Sequence, residues 1–153
     1  YEKEFDNNGK KSYQNYLERN IIEKKLLELD SKLTQKTKVA VITGYGPQKY
    51  ILQTMVKQHS YKNLEIDVDT VDAFQGSQKD IILYSTVRSS ANKYGIGFLK
   101  SEARINVAFS RARCLLIIVG DMNFLDNYRI RGNKFPEIIE YIKESEGCRI
   151  IEE

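Results

Sequence analysis

The sequence predicts an α/β domain, a parallel sheet with helices on both faces. Three features carry that expectation. Short runs rich in β-branched residues alternate with stretches of helical periodicity, and strands separated by helices pair in parallel through right-handed crossovers. The runs VAVI (39–42), IILYSTV (81–87) and CLLIIV (114–119) are mostly apolar, as strands covered on both faces are. Thr43-Gly44-Tyr45, Asp72 to Gln78, Arg88 and Gly120-Asp121 stand at the carboxyl ends of the expected strands, where open α/β sheets bind ligands.

Each element has its own warrant. Residues 1–11 are polar and carry Gly and Asn, so they read as a lead-in or a tail from a preceding domain; residues 12–153 make one domain. Leu17, Ile21, Ile22, Leu26 and Leu29 recur at helical spacing and predict a helix from Tyr13 to Leu33. VAVI is the first buried strand. Pro47 falls in the first turn of a second helix, which buries Ile51, Leu52, Met55 and Val56. Ile66 to Val71 alternates and reads as a strand, and IILYSTV is central. Ser89 to Leu99 contains Asn92, Gly95 and Gly97 and reads as a loop. Glu102 to Arg113 is expected to be helical and to lead into CLLIIV, the most apolar strand. Phe135 to Glu144 is amphipathic around Ile138, Ile139 and Ile142, and Ile150-Ile151 reads as an edge strand.

Composition narrows the function classes. The chain has 153 residues, 41% hydrophobic and 29% charged, in the range of ordinary globular domains. Its net charge of +3 permits nucleic-acid contact without arguing for it. No apolar run approaches the ~20 residues of a membrane span, and YEKEFDNNGKK does not read as a leader. No membrane partner is expected, and the location expected is cytoplasmic or otherwise intracellular, the nucleus included for a eukaryotic source. Two cysteines are too few for a disulfide framework, and Cys114 reads as a buried thiol of a reducing compartment. With one histidine and no Cys/His cluster, no metal site is expected.

Two segments carry the chemistry. RINVAFSRARCLLIIVGD (104–121) places Arg104, Arg111 and Arg113 on the expected helix, with Arg104 and Arg111 along one edge and Arg113 on the other. Two readings stand: one arginine reaches a nucleotide phosphate, or all three are solvated or paired with Glu102 and Asp121. Because the helix leads into a strand, Arg111 and Arg113 are expected near the end opposite the carboxyl edge unless the helix end projects past the sheet. In DAFQGSQKD (72–80), Gly76 permits close approach of a ligand, and Gln75, Ser77 and Gln78 offer neutral hydrogen bonds. Phe74 reads as a core anchor. Tyr45 either stacks on a base or caps the core. Lys79, Lys93 and Lys100 are backbone-contact candidates or plain surface lysines. There is no GxxxxGK[ST] loop and no strand ending in Asp-Glu, so a domain that handles a nucleoside triphosphate holds only half the site.

These segments resemble the motifs of superfamily 1 helicases. VDTVDAFQGSQKDIILYSTVRS resembles motif V and its strand, RINVAFSRARCLLIIVGD motif VI, VAVITGYGPQKYIL motif IV, and SYQNYLERN the stretch before it. The branch most similar is the 5′-to-3′ group that includes the nonsense-mediated-decay helicase. The resemblance spans Ser12 to Asp121 and implies a second RecA-like domain of the P-loop NTPase type without its own phosphate loop. It implies that Arg111 acts as an arginine finger on ATP held, with Mg2+, by an upstream RecA-like domain of the same polypeptide. It further implies that Arg113, Gln75, Gly76, Gln78, Tyr45 and Gln48 face the nucleotide. Thr70, Val71 and Arg88 would face single-stranded DNA or RNA. An alternative is a catalytically degenerate RecA-like module that binds nucleic acid or protein. The isolated chain is expected to be inactive. Four positions depart from the family pattern: Gln78 stands where QGxE has glutamate, Gly44 where proline is common, and Ile105 and Ser110 for Leu and Thr.

Overall fold

The structure is a computed structural model describing residues 2–7, 10–74, 77–90 and 96–152. Its centre is a four-stranded parallel sheet of β3 (Thr37–Thr43), β4 (Leu64–Thr70), β5 (Lys79–Ser85) and β6 (Ala112–Val119) in the order β4-β3-β5-β6. Residue alternation along each strand divides the core in two. Val39 and Val41 of β3, with Ile81 and Leu83 of β5, pack on Ile22 and Leu26 of α1 (Tyr16–Lys32) and Leu52 and Met55 of α2 (Gly46–Lys57). Ala40, Ile42, Ile82 and Tyr84 face the other way. They pack on Ile105 and Ala108 of α3 (Glu102–Phe109), Phe124 and Leu125 of α4 (Met122–Leu125), and Phe135 and Ile139 of α5 (Phe135–Glu144). Helices thus cover both faces, as the alternating pattern requires, and Pro47 opens α2 from its first turn.

Several expectations are corrected. The polar amino-terminal stretch forms an antiparallel hairpin, β1 (Glu2–Asn7) with β2 (Lys10–Asn15), in register from Glu2↔Asn15 to Asn7↔Lys10. Its main-chain ladder needs no apolar pattern, and the boundary drawn at Ser12 falls inside β2. The first helix therefore begins at Tyr16 rather than Tyr13. Asn15 caps it, its side chain accepting from the amides of Leu17 (3.1 Å) and Glu18 (3.3 Å).

The arginine helix also stops early. α3 ends at Phe109, Ser110 is its cap, Arg111 lies in the turn and Arg113 lies on β6. Pairing with β5 overrides the helical periodicity here: the Lys79 amide donates to the Arg111 carbonyl at 3.0 Å, which draws the chain into the ladder at Ala112. β6 itself pairs only with β5 among the described strands. Its outward positions stay open, so Cys114 is exposed and Leu115 is 41% exposed. Ile150 and Ile151 form no strand and are exposed. Asn92, Lys93 and Gly95 lie outside the described residues.

Candidate functional site

The expected site residues divide between the two edges of the sheet. At the amino edge, where β5 and β6 begin, the Lys79–Arg111 main-chain bond sets the end of the glycine loop beside the end of α3. Gln78, one residue before that bond, is exposed, and its amide makes no hydrogen bond among the described residues. Arg111 is half-buried. Its Nε donates to the Val107 carbonyl (3.1 Å) and its Nη2 to Ser110 Oγ (3.1 Å). No carboxylate among the described residues lies within ion-pair distance of it. The guanidinium is therefore aimed by its own helix end while Nη1 keeps its donors open. Arg113, on β6, is mostly exposed and lies 3.9 Å from Asp80. Arg111, in the turn before β6, and Arg113, on β6, stand at the amino edge, the end opposite the carboxyl edge, as a helix that leads into the strand requires. Gln75 and Gly76 lie outside the described residues. Ser77 closes their loop, its amide donating to the Phe74 carbonyl at 3.2 Å, and Phe74 is a core anchor.

Arg104, the first arginine of that segment, has fixed partners. It forks onto Asp72, Nε to Oδ1 at 3.1 Å and Nη2 to Oδ2 at 3.3 Å. It also lies 4.7 Å above the Phe98 ring. It thereby ties α3 to the short helical turns at Val71–Phe74 and Gly97–Lys100.

The carboxyl edge is closed. Tyr45 and Gln48 are buried, and Arg88 is 1% exposed. Tyr45 packs edge-on against Tyr13 and Phe98, so of its two readings the core cap describes this conformation. The Arg88 guanidinium lies 4.2 Å over the Tyr13 ring and donates to the Ser90 carbonyl at 3.0 Å. That side chain is inside the protein rather than on a surface a strand could touch. Gln48 bridges three segments. Its Oε1 accepts from the Asn15 amide (2.7 Å), and its Nε2 donates to the Asn15 carbonyl (3.2 Å) and to Ser85 Oγ (3.0 Å). Thr70 is half-buried at the end of β4, its amide bonded to Asp69 Oδ1 (2.7 Å), and Asp69 pairs with Lys49 at 3.2 Å. The Val71 side chain is buried, leaving its main chain as the part that could meet a ligand.

One residue the sequence reading passed over organises this edge. Glu18 is buried. Its Oε2 accepts from Ser85 Oγ (2.6 Å) and the Val87 amide (2.9 Å), and its Oε1 from Thr86 Oγ1 (3.1 Å) and Asn15 Nδ2 (3.4 Å). Burial pushes its carboxyl up to about 7 against the pull of the Ser85, Val87 and Thr86 donors. The readable signal was Asn15-x-x-Glu18, a helix-start pattern with an acidic third residue. Here the reciprocal half of that pattern is reassigned: Gln48 takes the Asn15 amide, which frees Glu18 to reach β5.

Residues 1–123 match the family model described as an AAA domain, AAA_12. The chain is 39% identical over 125 residues to the Regulator of nonsense transcripts 1 homolog of Neurospora crassa, covering 78% of this chain and 11% of that protein. It is 43% identical over 98 residues to Helicase sen1 of Schizosaccharomyces pombe, covering 63% and 6%. It is 36% identical over 115 residues to the DNA polymerase alpha-associated DNA helicase A of Saccharomyces cerevisiae, covering 75% and 16%. The chain thus spans a small fraction of the length of these relatives.

Proposed function

The chain belongs to the AAA_12 family of AAA domains, as the RecA-like helicase domain of the superfamily 1 nonsense-mediated-decay branch, and on that premise we propose that it is the second motor domain of an ATP-dependent helicase or translocase. The amino edge is the half-site it offers to ATP held on an upstream RecA-like domain of the same polypeptide. Arg111 supplies a guanidinium to the transferring phosphoryl group. Gln78 offers its amide to the sugar, and Gln75 and Gly76 belong to the same loop. Arg113, two residues along β6, supports the rim of the cleft. Charge that develops on phosphoryl oxygens is stabilised by a cation held ready before the reaction, and a side chain already tethered at Nε and Ser110 is held in that way. Mg2+ bound with ATP would neutralise phosphate charge from the upstream domain's side. Single-stranded DNA or RNA would cross the other edge, near Thr70 and the main chain of Val71. Tyr45, Gln48 and Arg88 would act there from beneath, by shaping the loops rather than by touching the ligand.

The observation that carries this reading is the Lys79–Arg111 main-chain bond, which joins the Gln78 loop to an arginine that no described carboxylate neutralises. In the full-length protein, Arg111→Ala should cut ATP turnover by roughly 10³-fold, the low end of arginine-finger effects. Near-normal turnover in that variant refutes the assignment. A full-length protein that binds nucleic acid without hydrolysing ATP would instead be the degenerate binding module that the uncharged Gln78 allows.

A further inference from the structure

The backbone at the exit of β5 is strained. Val87 has φ of +70°, the one non-glycine positive φ among the described residues. A β-branched residue there is a true outlier, costing on the order of 1–3 kcal/mol unless its surroundings enforce it. Both of its main-chain groups are held by the start of α1. The amide donates to Glu18 Oε2 at 2.9 Å, and the carbonyl accepts from Asn15 Nδ2 at 3.1 Å. Glu18 also fixes Ser85 and Thr86, the residues leading into the bend. Past the bend, Arg88 stays buried while Ser89 is half-buried and Ser90 is exposed. The chain therefore leaves the core through one strained residue clamped from two sides, and it surfaces at the carboxyl edge.

Resting on the motor reading above, we propose that Glu18 and Asn15 are positioning residues for single-strand binding: they hold Val87 in its left-handed conformation and so set where the surfacing main chain of Ser89 and Ser90 meets the strand, with buried Arg88 beneath it. A capping asparagine needs only its oxygen for α1, and a core carboxylate needs no strained partner. Here both reach across to the same residue. The strain gives the clamp something to do, because without it the exit relaxes toward negative φ and the surface segment moves.

The test is a cycle of variants in the full-length protein, reading equilibrium affinity for fluorescent oligo(dT) and oligo(U) without nucleotide, with far-UV circular dichroism as a fold check. Glu18→Gln keeps the volume but replaces an acceptor oxygen with an NH2 group. Leaving the buried donors that Glu18 now accepts from without a partner should weaken strand affinity about tenfold. Val87→Gly adopts φ of +70° without strain, so it should bind like the parent. Added to Glu18→Gln, it should restore affinity to within about threefold, a non-additivity expected only of residues that act on one another. If Glu18→Gln fails to fold, Asn15→Ser serves in its place, since serine keeps the cap and removes the donor to Val87. Unchanged affinity in the clamp variants, or a loss that Val87→Gly fails to relieve, overturns the proposal and leaves Glu18 a plain core acceptor. Turnover of the parent protein is measured alongside: a parent that binds strand but hydrolyses no ATP sinks the motor reading, while the affinity cycle still decides the clamp.

Discussion

The two edges of one sheet are built on opposite plans. At the amino edge, Gln78 is exposed, Arg113 is mostly exposed and only loosely paired, and Arg111 is held by two short contacts with donors to spare. At the carboxyl edge, Gln48, Glu18 and Arg88 are buried and bonded to main chain and side chains of three different segments. Open polar groups on a rigid frame suit a site completed by another body. Closed ones suit a site whose shape must not change. Residues that resemble ligand contacts by motif can therefore act through geometry alone, and burial separates the two kinds.

The sharpest way to break this comparison is pH. Burial pushes the Glu18 carboxyl up to about 7 in the folded chain, from its ordinary 4.5 when unfolded. The folded state holds the proton across that window and the unfolded state does not. The Glu18 contribution to stability is therefore fully present below about pH 4.5 and is lost as pH rises through about 7, on the order of 3 kcal/mol. Tyr84 is the other buried acid nearby. Burial holds its phenol far above its usual range, so it stays neutral throughout. Denaturant titrations of parent and Glu18→Gln at pH 5 and pH 8 check this: the variant should lose most of the slope and be penalised more at pH 5. An equal slope in both would mean that the carboxylate is not sealed from water.

A smaller effect sharpens the same contrast. Gly97 has φ of +64°, and a Cβ there would sit 2.6 Å from the Tyr45 hydroxyl and 3.0 Å from Arg88 Nη1. Gly97→Ala should destabilise the domain by about 2 kcal/mol, strain and crowding together, read as a lower denaturation midpoint. A neutral outcome would show that the closed edge has slack.

The sequence disclosed the sheet well and the ends of elements poorly. VAVI and IILYSTV announce β3 and β5 because both faces of each strand are covered, and Pro47 marks the start of α2. The periodicity of RINVAFSRAR runs on to Arg113, but the ladder partner that ends α3 is Lys79, more than thirty residues away, and no local pattern encodes it. Glu18 is readable as a helix-start residue but not as a buried one, for the same reason: its donors lie at the end of β5 and just past it. Arg88 was legible as a motif residue but not as a buried one, since the Tyr13 ring beneath it arrives from the hairpin. Val87 gives no local hint of a positive φ, because β-branched residues avoid it. The chemistry of the amino edge was legible residue by residue, and so was the end of β6 at which Arg111 and Arg113 lie, because the helix leads into that strand.

The most direct test of the two-edge account compares, in full-length protein, the affinities of the parent and Arg111→Ala for ADP and for ADP with aluminium fluoride, which mimics the transferring phosphoryl group. Arg111→Ala is expected to lose at least about 100-fold toward the mimic while ADP binding stays within about threefold, as befits a group that acts on the transition state. Equal weakening toward both ligands, or none toward either, would contradict it.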